Sequence, residues 1–141
     1  MPPRRKEADL VRIVVGKRGK VSMRMQLVLR PDYGSIIPWV RRMKNGICAL
    51  AGPNTLTLQS DVDLHNKDLR TEAEFIMSAG QRVHFVLTWL PSHDADDITY
   101  DAEVLLTQTE QWWREWAGRC TYQGAYRASV VRSLVTLKAL T

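Results

Sequence analysis

The sequence contains few of the features that usually indicate a function. Its 141 residues include two cysteines, Cys48 and Cys120, and neither lies in a CxxC pair or a metal-ligand spacing. This excludes a disulfide framework or a cysteine-ligated zinc site, and a reduced, cytoplasmic setting is expected. No apolar run approaches the roughly 20 residues of a membrane span. The basic start MPPRRKEADL is not followed by an apolar segment, so no secretory signal is predicted.

Catalytic motifs are also missing. No GxSxG elbow surrounds a serine, and no glycine-rich loop for phosphate binding occurs. Fifteen acidic residues could supply a carboxylate pair for glycoside chemistry, but sequence alone cannot place any two of them in one pocket. We therefore predict no catalytic residue, no metal ligand and no cofactor within this chain.

Histidines and one acidic loop are the weak metal candidates. His65, His84 and His93 have no ligand spacing, and His84 alternates with Val83 and Phe85, which predicts a solvent-facing position. The segment His93-Asp94 with Asp96-Asp97 offers oxygen ligands, but it lacks the glycine turn and final glutamate of a calcium loop. A solvated acidic loop is the favoured interpretation.

Positive charge is concentrated in the first third of the chain. Residues 1–44 carry twelve Lys and Arg against three acids, whereas the remainder carries eight against twelve. Such a basic segment can bind nucleic acid. However, Arg12, Arg24 and Arg30 fall at positions compatible with an outward strand face, and no aromatic residues interleave them as a stacking platform. Neither nucleic acid nor membrane is a predicted partner.

Alternating apolar residues predict about seven or eight short strands. Val21, Met23, Met25, Leu27 and Leu29 should face one way, and Asn45-Gly46 is a hairpin signal. Residues 61–70 read as a polar connection. The turn spacing is typical of an antiparallel β-sandwich. The predicted strands are 10–15, 20–29, 36–43, 47–51, 55–60, 71–78 and 82–89.

The pattern becomes helical after Pro91. Asp101 is a plausible N-cap, Gly118 a stop, and Trp112 and Trp116 lie on one helical stripe with Trp113 beside it. Such tryptophans either pack against a sheet or stack on sugar rings, and the core-type spacing favours packing. The fold class is thus mainly β, a partial antiparallel β-sandwich followed by two helices. The predicted parts are residues 1–90 (sandwich), 91–123 (linker with the tryptophan helix) and 124–141 (a second helix).

The second predicted helix is rich in aliphatic residues. Val130, Val131, Leu134, Leu137 and Leu140 follow helical spacing, and no Gly, Asn or Pro ends the helix. A helix of this kind needs a partner surface. We therefore expect the chain to be a piece of a larger protein, and we expect self-association through this helix in isolation.

An ordered set of motifs resembles the N-terminal domain of bacterial glucoamylase- and trehalase-type glycoside hydrolases of family 15. The resemblance covers essentially the whole chain, although Pro31 stands where an aromatic residue usually precedes Asp-Tyr-Gly. It rests on these segments: Asp32-Tyr33-Gly34, Ile37-Pro38-Trp39-Val40-Arg41-Arg42, Ala51-Gly52-Pro53, Phe85-Val86-Leu87-Thr88-Trp89, Pro91-Ser92-His93, the tryptophan helix, Cys120-x-Tyr122-x-Gly124-x-Tyr126-Arg127 and Val131-Arg132-Ser133-Leu134-x-x-Leu137-Lys138-Ala139-Leu140.

The resemblance implies a specific organisation. Members of the family combine a β-sandwich, a helical linker and an (α/α)6 barrel that hydrolyses α-glucosidic bonds with inversion. It implies that the first sandwich strands are missing before Met1, that the second helix begins the barrel, and that both catalytic glutamates lie beyond Thr141. The barrel would be the partner, and trehalose or maltooligosaccharides would be substrates of the parent only. The alternative is a stand-alone carbohydrate-binding or protein-interaction module.

Overall fold

The chain forms two compact units. The structure is a computed structural model that describes residues 8–92 and 99–140. The described residues up to 102 belong to the first unit, and residues 103–140 belong to the second. The candidate cation loop His93–Asp97 lies outside the described residues. No helix in the described ranges is both long and apolar enough to cross a membrane.

The first unit contains two antiparallel sheets. Among the described residues, five strands form one sheet in the order β1-β8-β5-β4-β3, and three form the other in the order β2-β7-β6. The mainly β prediction is therefore confirmed. The strands are β1 Ala8–Val15, β2 Lys20–Leu27, β3 Trp39–Met43, β4 Gly46–Ala51, β5 Asn54–Ser60, β6 His65–Lys67, β7 Arg70–Ser78 and β8 Arg82–Pro91.

A shared apolar core joins the two sheets. Ile47, Leu58 and Phe85 come from the five-stranded sheet, Ala73 comes from β7 of the other sheet, and Leu64 comes from the connection between β5 and β6. Each is at most 6% exposed. Full burial of one large aliphatic or aromatic side chain contributes about 1.5–3 kcal/mol, so this cluster supplies much of what holds the sheets face to face.

Sequence patterns located most strands, and the differences have physical causes. A short strand, β6, lies within residues 61–70, where the sequence predicts only a polar connection. The residues of β6 are exposed and show no apolar alternation. Residues 36–38 precede β3 instead of forming part of it, consistent with a proline at position 38. Val21 is 52% exposed instead of facing the core, because it lies near the beginning of β2.

The β3–β4 hairpin is present, but its glycine has a different role from the one predicted. Met43 pairs with Gly46, so Lys44 and Asn45 form the connection and Gly46 begins β4. A Cβ atom at position 46 would lie 1.9 Å from the carbonyl oxygen of Leu58 on β5. Glycine is thus required at this position because β4 and β5 approach closely.

The second unit is helical. Helix α1 begins at Ala102 and ends at Gly118, and α2 extends from Arg127 to Ala139. Arg127 holds the segment between the two helices close to the start of α2. Its Nη1 donates to the carbonyl oxygens of Cys120 and Tyr122, at 2.9 and 2.5 Å. No residue of α2 is buried, and Leu137 is 62% exposed. Asp101 immediately precedes α1, at the predicted N-cap position.

We predict that Gly46→Ala destabilises the sandwich by about 1–3 kcal/mol, the usual cost of overpacking. The added methyl group would collide with the Leu58 carbonyl, and β4 and β5 would have to move apart. Urea denaturation followed by circular dichroism measures the loss. Gly118 lies in the helical unit, and a Cβ atom there would meet nothing within 4 Å, so Gly118→Ala is the control for a general effect of glycine replacement. Equal stability of Gly46→Ala and the unsubstituted chain would contradict this role.

Candidate functional site

An open cleft lies at one end of the two sheets, and we call it the end cleft. Its volume is about 320 Å³. The chain following β2 and the segment leading into β3 form one wall, and the β6–β7 hairpin forms the other. Both walls belong to the first unit, and each wall is continuous with strands of the two sheets. The cleft is therefore shaped by the sandwich itself.

Exposed apolar side chains line the end cleft. Trp39 is 68% exposed, Leu69 is 62% exposed and Ile37 is 57% exposed. Val40, the next residue along β3, packs instead against the core. Because neighbouring strand residues point to opposite faces, the inward Val40 anchors the strand and leaves Trp39 at the cleft.

Polar groups in the same cleft are held in place. Arg30 Nη1 donates to the carbonyl oxygen of Leu29 at 2.7 Å and to that of Leu69 at 3.4 Å. The second bond links the segment after β2 to the hairpin. Asn66 Oδ1 accepts a hydrogen bond from Thr71 Oγ1 at 2.9 Å. These contacts hold a guanidinium and an amide within the lining of the cleft.

The tip of the hairpin adopts an uncommon backbone conformation. Asp68 and Leu69 have φ values of 49° and 59°, so both are left-handed, as a two-residue hairpin connection requires. Asp tolerates this region, whereas a large aliphatic residue there is strained. Such strain costs of order 1–3 kcal/mol and recurs at ligand-binding sites.

We predict that Leu69→Gly stabilises the chain by about 0.5–1 kcal/mol. Glycine relieves the left-handed strain, and its greater freedom in the unfolded chain offsets part of that gain. Leu69→Ala is the matched control, since it removes the exposed side chain but retains the strain. Urea midpoints of the three proteins test this, and a Leu69→Gly midpoint no higher than that of Leu69→Ala would contradict it.

A second, more polar cleft of about 290 Å³ contains two carboxylates. Asp61 and Asp63 line it together with Arg42 and Lys44. Asp61 Oδ2 accepts hydrogen bonds from the backbone N–H of His84 at 2.8 Å and lies 2.5 Å from its ring Nδ1. The His84 side chain is 25% exposed, so it is partly covered by its contact with Asp61. This arrangement joins the end of β5 to β8.

The remaining metal candidates that fall on described residues do not cluster. Within residues 8–92 and 99–140, no group of three or more His, Cys, Asp and Glu side chains could hold a metal ion. His65 lies exposed on β6, and Cys48 is buried in β4. The Asp61–His84 pair could not be found from local sequence, because the two residues meet only through the β5–β8 pairing.

The tryptophans of α1 contact one another. Trp113 meets Trp112 edge-on at 4.8 Å between ring centroids and Trp116 at 6.0 Å. All three are partly exposed. Edge-to-face pairs are a favourable aromatic geometry. The rings therefore form one cluster along the helix, with Trp113 in contact with both of the others, and their packing against the sheets remains a prediction.

An ion-pair network covers the outer face of the smaller sheet. Glu72 on β7 accepts hydrogen bonds from Arg24 Nη2 at 2.7 Å and from Gln26 Nε2 at 2.8 Å, both on β2. The hydrogen bond from Arg24, followed by that from Gln26, lowers the pKa of Glu72 below its usual value. The same contact raises the pKa of Arg24. This network favours the correct pairing of β2 with β7.

We predict that Glu72→Gln lowers stability at neutral pH and that the difference from the unsubstituted chain disappears in acid. A carboxyl group whose folded pKa is lowered stabilises the fold above its unfolded pKa, and this contribution is lost as pH falls through the folded value. Urea midpoints at pH 7 and at a pH below the lowered pKa of Glu72 measure it. Glu74→Gln is the control, because Glu74 lies 3.8 Å from Arg24 and is 76% exposed. A pH-independent difference for Glu72→Gln would contradict the prediction.

Sequence comparison relates the chain to two curated archaeal proteins. Over 109 residues, 77% of the chain, it is 24% identical to the trehalase of Thermoplasma volcanium. The trehalase of Thermoplasma acidophilum matches over 109 residues at 23% identity. The chain spans 18% and 19% of the lengths of these two proteins, less than a fifth of each. No protein-family model matches the chain.

A solved structure assigned as a kojibiose phosphorylase from the human microbiome aligns with 92% of the chain and 19% of its own length. The sequence identity is 11% and the TM-score is 0.36. A TM-score of this size does not establish a shared fold.

Proposed function

We propose that the chain is the non-catalytic N-terminal part of a trehalase- or glucoamylase-like hydrolase of family 15. In such a protein it would brace an α/α barrel that cleaves α-glucosidic bonds in trehalose or maltooligosaccharides. A cytoplasmic location is part of the proposal. The observation that carries it is the similarity over 109 residues to two trehalases that are more than five times longer than the matched part.

Two features of the structure support a bracing role. Strands come first and helices follow, which fits a β domain that leads into a helical one. Leu134 and Leu137 of helix α2 are 38% and 62% exposed, and Leu140, which follows the helix, is 80% exposed. Large aliphatic side chains on one helix suit burial against a partner, for which the proposal names the barrel; in the isolated chain, they would favour self-association.

We predict that the isolated chain does not release glucose from trehalose, maltose or starch. Inverting hydrolysis needs a general acid and a general base that flank the bond and leave room for water. Asp61 and Asp63 are the two carboxylates of the polar cleft, and Asp61 is engaged by His84. A coupled glucose assay is the measurement, with the Thermoplasma volcanium trehalase as positive control. Glucose release that is lost in Asp63→Asn would overturn the prediction.

A chimaera tests the bracing role directly. The matching region of the Thermoplasma volcanium trehalase is replaced by this chain or is deleted. We expect the replacement to restore a folded, active trehalase, whereas the deletion loses activity and melts at a lower temperature. Gly46→Ala within the replacement should lower the melting temperature without changing kcat, because it acts on the sandwich alone. An undiminished deletion variant would contradict the proposal.

The end cleft favours a second candidate, a carbohydrate-binding module. An exposed tryptophan beside oriented polar groups is the usual composition of a small-ligand site. The two candidates make different predictions, since a module should bind sugar on its own and a brace need not do so.

A further inference from the structure

Trp39 is exposed and does not contribute to the apolar core of the sandwich. It is the first residue of edge strand β3, and its ladder partner is Leu50 on β4. The core is closed without it, because Val40 supplies the inward side chain. A tryptophan that remains 68% exposed at the rim of a formed cleft presents a flat apolar face to whatever enters the cleft.

The groups around Trp39 can recognise hydroxyl groups. Arg30 uses Nη1 for two carbonyl oxygens and retains its other N–H donors. The side-chain oxygen of Asn66 accepts a hydrogen bond from Thr71, so the NH₂ group of the same amide is the part that can donate to a ligand. Asp68 adds a carboxylate acceptor at the hairpin tip. Donors and an acceptor thus line the same cleft as a flat apolar ring.

We propose that the end cleft binds a neutral, glucose-containing oligosaccharide, with one sugar ring stacked on Trp39 and its hydroxyl groups bonded to Arg30, Asn66 and Asp68. A pyranose ring has a face of C–H groups and a rim of hydroxyl groups, which matches this arrangement. A volume of about 320 Å³ is at the lower end of the range for small-ligand sites, so one or two rings fit. The choice of glucose rests on the proposed function.

The end cleft carries three cationic side chains, Arg30, Lys67 and Arg70, and one carboxylate, Asp68. Lys67 also interacts with the Glu72 carboxylate. An anionic sugar is therefore the competing ligand that the binding experiment must separate from a neutral one.

Isothermal titration of the full chain with trehalose, maltose and maltotriose tests the proposal. We expect at least one of them to bind in the millimolar range. Trp39→Ala should weaken that binding about tenfold or more, and Trp39→Phe should retain much of it, since an aromatic face remains. Thermal melts show whether each variant is folded. We expect both variants to fold, because Trp39 is 68% exposed.

Tyr126→Ala is the matched control, because Tyr126 is an aromatic residue that is 73% exposed and lies in the helical unit. It should leave sugar binding unchanged. Absence of binding for all three sugars, equal binding by Trp39→Ala, or tighter binding of glucose 6-phosphate than of the neutral sugars would overturn the proposal. These results would leave the bracing role intact, because the chimaera does not depend on the cleft.

Discussion

The face-to-face packing of the two sheets is the interaction on which the rest of the first unit depends. Ile47, Leu58 and Phe85 form its larger half, and Ala73 meets them from the opposite sheet. An antiparallel sheet buries one face and leaves the other to water or to another element. The packing therefore fixes which side chains of each strand face the core. Because side chains alternate along a strand, it also fixes which ones face outward.

The end cleft follows from this packing. Val40 packs strand β3 against the core, and the β6–β7 hairpin is fixed to the smaller sheet because β7 pairs with β2. The space between β3 and the hairpin is therefore defined before any ligand arrives. Rigid elements position side chains more precisely than long loops do. The left-handed Leu69 at the hairpin tip is consistent with a turn retained for its shape at some cost in stability.

The ion pairs and charged hydrogen bonds of the first unit affect the register of strand pairing more than the total free energy of unfolding. Glu72 is the centre of a cross-strand network with Arg24 and Gln26, and Asp61 joins β5 to β8 through His84. Exposed pairs contribute little individually. A one-residue slip of β2 would separate Glu72 from both partners and would also move the apolar face of the strand into water.

The sequence by itself determined the fold class, most strand positions and both helices, because alternation and helical spacing are local properties that burial on one face imposes. It also indicated that no motif for catalysis was present. It missed β6, whose exposed residues show no alternation, and assigned Gly46 to a turn when the constraint comes from β5. Only the tertiary structure brought Trp39 beside Asn66 and His84 beside Asp61, because residues distant in the chain meet through strand pairing and sheet packing, which local patterns do not encode.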